Sequence, residues 1–93
     1  MKKNKSVFND IGFNEQEALA LTVKADLYGK ILDVVEKQKI KPRDLEKILD
    51  VPQPRVSELL NGKMSSLSIE KLLSYLEKLG VEAMMSFRKK RAS

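Results

Sequence analysis

The chain has 93 residues, 42% hydrophobic and 33% charged, with a formal net charge of +5 and neither cysteine nor histidine. That length holds one modest core and no separate catalytic domain. The composition excludes a disordered chain, a disulfide framework and a zinc site built on thiolate or imidazole.

No apolar run approaches the ~18–20 residues that span a bilayer. Met1–Ser6 is basic with no apolar stretch behind it, so a cytoplasmic location is expected. Seven of the 18 basic residues lie in two tails, Lys2, Lys3 and Lys5 at one end and Arg88, Lys89, Lys90 and Arg91 at the other. All 13 acidic residues fall between Asp10 and Glu82, which sets eleven basic residues against 13 acidic ones in the body. Net charge alone therefore does not argue for a nucleic-acid partner.

In chain order, residues 1–13 form an arm with Val7, Phe8, Ile11 and Phe13 as apolar contact points. Residues 14–80 read as a helical domain and 81–93 as a strand with a basic tail. Asn14 and Glu17 have the spacing of a capping box, which predicts a long amphipathic helix from Glu15 to about Gln38. Its apolar stripe is Ala18, Leu21, Ala25, Tyr28, Leu32 and Val35, and Gly29 allows a bend.

After a break at Lys39–Lys41, Pro42 opens a second helix to Leu49, with Leu45, Ile48 and Leu49 inward. Asp50-Val51-Pro52 closes it, because the residue before proline is pushed out of the α region. Pro54 marks the first turn of a third helix to about Asn61, burying Val56, Leu59 and Leu60, with Gly62 as a left-handed stop.

Ser66 or Ser68 caps a fourth helix, Ile69 to Leu79, with the stripe Leu72, Leu73, Leu76 and Leu79 and an end at Gly80. Beyond Gly80 the period becomes two. Val81, Ala83, Met85 and Phe87 alternate with Glu82, Met84, Ser86 and Arg88, the pattern of a strand. A lone strand has no ladder partner in its own chain, so the same strand of a second chain is the economical partner. This predicts a homodimer with Val81, Ala83, Met85 and Phe87 at its interface; Met84 stays unassigned, and a frayed tail is the alternative.

The second and third helices, spanning about 42–61, have the order and spacing of a helix-turn-helix. Leu45, Ile48, Val51, Val56 and Leu59 supply apolar contacts that fix the angle between them. At 100° per residue from Val56, the third helix turns Pro54, Ser57, Glu58 and Asn61 outward, with Gln53 at its tip and Arg55 to one side. Gln53 can pair with adenine, Arg55 with guanine or a phosphate, and Pro54 with a thymine methyl. Glu58 can accept from cytosine but repels phosphate. Asn61, Gly62 and Lys63 follow where the chain would cross a phosphate strand, although Asn-Gly also serves as a plain helix cap.

The stretch "LEKILDVPQPRVSELLNGK" resembles the helix-turn-helix of phage-repressor (Xre/Cro) type regulators. With "VFNDIGF" and "SIEKLLSYLEKLG" the chain is similar, over nearly its whole length, to the small single-domain subgroup that includes HigA-type antitoxins. The resemblance implies a mainly α, lambda-repressor-like domain of four to five helices with a C-terminal β-strand pairing across a dimer. It further implies a dimeric repressor on a palindromic double-stranded DNA operator, with a RelE-like toxin as a second partner.

Two positions depart from that pattern. Asp50 stands where glycine is common, and Lys41-Pro42 where Thr-Gln is common, leaving Lys41 and Arg43 to meet phosphate. No cofactor, metal, membrane or small-molecule substrate is expected. Nothing places two carboxylates across a cleft, a serine beside a base or a glycine loop around a phosphate, so no enzyme is expected. The alternative to DNA binding is a protein-interaction module that keeps the same fold.

Overall fold

The computed structural model describes residues 14–89. The arm expected over residues 1–13 and the tail residues 90–93 lie outside the described residues. Four α-helices occur among those described: α1 (Glu15–Lys37), α2 (Pro42–Leu49), α3 (Gln53–Leu60) and α4 (Ile69–Lys78), with a 3₁₀ turn at Met64–Ser66. No helix among them is long and apolar enough to cross a membrane.

The helix starts follow from local chemistry. Asn14 Oδ1 accepts from the Glu17 N–H at 2.7 Å, and Glu17 Oε1 accepts from the Asn14 N–H at 3.1 Å, a complete capping box. Ser68, not Ser66, caps α4, its Oγ accepting from the Lys71 N–H at 3.0 Å. Prolines in the first turns of α2 and α3 stand in for side-chain caps. The chain runs through Gly29 without leaving the helix.

All four helices end alike. A residue at or just past each cap takes a left-handed conformation: Lys39 (φ 53°), Asp50 (φ 57°), Gly62 (φ 71°) and Gly80 (φ 83°). At each, the next N–H reaches back to a carbonyl five residues earlier: Ile40 to Val35 (3.0 Å), Val51 to Glu46 (3.2 Å), Lys63 to Glu58 (3.1 Å) and Val81 to Leu76 (2.9 Å). This satisfies carbonyls that a helix terminus would leave unpaired. Asp50 therefore does adopt the conformation for which glycine is common, and Lys39 is a second non-glycine residue in the same state.

The core joins Ile31 of α1, Leu45 and Leu49 of α2, Val56 and Leu59 of α3, Leu67, and Leu72, Tyr75 and Leu76 of α4. α1 lies mainly along α4, and α2 meets both α3 and α4. Several positions differ from the sequence reading. On α1, Ala18 is buried and Tyr28 and Val35 pack against the core as expected, but Ile31 and Val34 are buried as well and Ala25 is exposed, so the buried face only partly follows the expected stripe. At 1.5 Å rise per residue the 23-residue α1 is more than twice as long as the ten-residue α4. Leu19 remains 64% exposed, while Ala18 beside it is buried.

Ile48, Leu60 and Leu73, expected inward, lie at the surface because each short helix has room for only two or three core positions. The strand expected after Gly80 is not formed. Residues 81–89 carry no strand pairing, since no ladder partner exists among the described residues. Val81 instead packs half-buried against its own core, whereas Met84, Met85 and Phe87 are 76–89% exposed.

Candidate nucleic-acid interface

The left-handed Asp50 and the extended Pro52 reverse the chain between α2 and α3. Leu45, Leu49, Val56 and Leu59 are buried behind the turn, and Val51 closes its inner side. Lys78 reaches across from α4 to donate to the Leu49 carbonyl at 2.9 Å, satisfying an acceptor at the end of α2. Four of the five expected scaffold residues thus hold the two helices at a fixed angle. Ile48 does not take part.

On the far side of α3, Gln53, Pro54 and Arg55 are exposed, and Ser57 and Glu58 are half-buried. The most accessible polar groups therefore sit in the first turn, the part of a recognition helix that contacts base edges. The Arg55 and Val56 N–H groups both donate to the Pro52 carbonyl, at 2.9 and 3.3 Å, and Pro54 has none. Of the first-turn N–H groups, that of Gln53 has no such bond, so contacts at this end fall to it and to the side chains.

Two side-chain pairs organise the rest of the outer face. Arg55 Nη1 lies 4.0 Å from Glu58 Oε1. Such a surface pair adds little stability, so its consequence is where the guanidinium rests. Asn61 Nδ2 donates to Ser57 Oγ at 3.1 Å. Asn61 is also the C-cap of α3, its backbone N–H donating to the Ser57 and Leu59 carbonyls.

Behind Arg55 and Glu58 lies the buried Tyr75. Burial raises its hydroxyl pKa; the nearby Arg55 charge opposes that rise and the Glu58 charge adds to it.

Past α3, the N–H groups of Asn61, Gly62 and Lys63 bond back to Ser57, Leu59 and Glu58 carbonyls. What faces solvent there is the Asn61 side chain and the exposed Lys63 ammonium. Lys41 and Arg43, at the start of α2, are exposed as well.

The sequence reading did not find the contacts that fix α3 from behind. Tyr28 Oη donates to the Leu59 carbonyl at 2.6 Å, tying the last turn of α3 to α1. Burial raises the Tyr28 pKa. A Cβ added at Gly62 would stand 3.2 Å from that oxygen, so the position favours glycine twice over, by conformation and by space. Lys24 and Lys71 donate to the Met64 and Ser66 carbonyls at 3.1 and 3.0 Å, pinning the loop after α3. The apolar spacing showed Tyr28 only as part of a stripe; the partner of its hydroxyl lies 31 residues away.

Two short helices joined by a tight turn, one anchored and the other presenting polar side chains at its start, define a helix-turn-helix DNA-binding domain. A family model described as a helix-turn-helix domain matches residues 7–88, and the chain belongs to that family. No curated protein and no solved structure matches the chain.

Proposed function

We propose that the protein is a sequence-specific transcriptional repressor of the phage-repressor (Xre/Cro) type. It acts as a homodimer whose two α3 helices enter successive major grooves ~34 Å apart on a palindromic operator. The observation that carries this reading is the exposed first turn of α3, Gln53-Pro54-Arg55, on a helix held from behind by Val56, Leu59 and the Tyr28 hydrogen bond.

In this reading Gln53 pairs with adenine, Arg55 with guanine, and Pro54 meets a thymine methyl. Ser57 and Glu58 line the base-facing side. Lys41, Arg43, Asn61 and Lys63 fix register on phosphates. The protein works in the cytoplasm and has no catalytic role. As a member of the HigA-like subgroup it is also the antitoxin of a two-protein pair, with a RelE-like ribonuclease as the partner it silences.

The test is operator selection from random duplexes, followed by affinity across salt. A DNA reader loses affinity steeply between about 50 and 200 mM, because each neutralised phosphate releases counterions. The excess of acidic over basic residues in the body favours a second reading, a protein-interaction module on the same fold. A flat salt response and no selected sequence would establish that module and refute the repressor.

A further inference from the structure

On the outer face of α3 the Glu58 carboxylate stands 4.0 Å from the Arg55 guanidinium, one turn away along the helix. The same spacing recurs on α2, in Arg43 with Glu46 and in Asp44 with Lys47, yet among the described residues neither couple forms an ion pair. The other ion pairs described both involve Asp33 of α1. Of the two helices of the motif, only the reading helix therefore closes such a pair.

The surroundings account for the difference. Residues three apart on a helix are neighbours, but a fully solvated pair gains little by closing. Glu58 is half-buried, and both charges act on the buried Tyr75 of α4 behind them. That ring keeps water from one side of the pair, which strengthens the attraction across it.

At 4.0 Å the contact is one of charge and not a hydrogen bond. It sets where the guanidinium rests and leaves its N–H donors for a ligand. An arginine at a DNA surface has two uses, a guanine edge or a phosphate, and the sequence leaves both open for Arg55. Glu58 biases that choice. A guanidinium that swings out to a phosphate abandons a half-buried carboxylate beside a polyanion, whereas one that reaches into the groove keeps the carboxylate as its neighbour. Holding the side chain before contact also removes part of the cost of ordering it, worth up to about tenfold in affinity. A direct contact of Glu58 with cytosine, in contrast, requires it to leave Arg55.

We propose that Glu58 is a positioning residue: it reads no base itself, and it holds the Arg55 guanidinium toward a guanine edge and away from phosphates. The preference for guanine at one base pair then depends on a carboxylate that makes no contact with DNA. This deepens the repressor reading above and rests on it.

The test uses the full-length protein, its selected operator and duplexes carrying every base pair at each operator position. Arg55→Ala locates the base pair that Arg55 reads. Glu58→Gln keeps the size of the side chain and removes its charge. It is expected to lower discrimination for guanine at that same base pair about tenfold, to raise affinity for unrelated duplexes, and to steepen the salt slope by up to about one as Arg55 becomes a general phosphate contact. In the Arg55→Ala background, Glu58→Gln should leave every base preference unaltered.

Three outcomes overturn the proposal. Preference lost at a different base pair, with guanine still favoured where Arg55 reads, shows Glu58 contacting a base directly. Affinity lowered alike for all duplexes, with the ranking of bases unchanged, shows a merely structural role. An equal effect of Glu58→Gln on base preference with and without Arg55 shows that the two side chains act independently. Operator selection by the unmodified protein is scored first: its failure overturns the repressor reading and this inference together, whereas a selected operator followed by any of the three overturns this inference alone.

Discussion

α2 and α3 have the same length, eight residues, a proline in the first turn and two buried apolar residues each. Their exposed sides differ. α2 shows Arg43, Asp44, Glu46 and Lys47, a solvated face of mixed charge, whereas α3 opens with Gln53, Pro54 and Arg55 and pairs its only carboxylate with its only guanidinium. The inner sides are interchangeable in kind because both face one core. The outer sides are not, and that asymmetry separates a supporting helix from a reading one.

The sharpest way to break the comparison is to attack the shared part. Leu45→Ala and Leu59→Ala remove fully buried side chains from α2 and α3. Each should cost ~2–5 kcal/mol in denaturant unfolding, and a loss confined to one helix would show that the anchors are not equivalent. The next largest effect isolates the outer sides. Gln53→Ala should leave stability within ~0.5 kcal/mol but cost ~1–3 kcal/mol of operator binding and relax one base pair, while Lys47→Ala on α2 changes neither. Unchanged affinity for every operator after Gln53→Ala would show that the reading face lies elsewhere.

Tyr28→Phe is a smaller test, since it deletes only the hydrogen bond to the Leu59 carbonyl. A loss of ~1 kcal/mol is expected, read by thermal or denaturant melting. The tyrosine pKa is raised on folding, so its contribution is complete below the unfolded value of about 10 and declines as pH rises through the folded value. The Phe variant should show a smaller alkaline decline, the part due to Tyr75 remaining. The smallest effect is a gain: Asp50→Gly relieves a left-handed aspartate at the turn between the helices and should add about 0.5–1 kcal/mol, offset in part by unfolded-chain entropy. No gain would mean that Asp50 is held there by a contact of its own.

Helix starts and stops were legible in the sequence because they depend on near neighbours. Asn14 with Glu17, the prolines at 42 and 54, and Gly62 and Gly80 mark boundaries within a residue or two of those observed. The phase of α1 was legible only in part: Ala18 is buried as its stripe requires, but Ile31, which packs with Leu72, Tyr75 and Leu76 of α4, and Val34 are buried too. Leu73 and Leu60 likewise fit a helical stripe yet remain at the surface, because periodicity records which side chains share a face and not how much of that face a short neighbour covers. At the candidate interface, spacing turns Pro54, Ser57, Glu58 and Asn61 outward with Gln53 at the tip and Arg55 to one side; Gln53–Arg55 and Asn61 are exposed, whereas Ser57 and Glu58 are half-buried. The Tyr28 bond and the Lys78 reach to Leu49 join residues about thirty apart, and no local pattern encodes them.

The division of α3 into two inner anchors and a separate outer row bears on how such a protein changes over time. Gln53 and Arg55 are solvent-exposed, so new target preferences can be tried there at small cost in folding stability. One scaffold can therefore be retargeted by exchanging a few solvent-facing side chains while Val56 and Leu59 stay fixed.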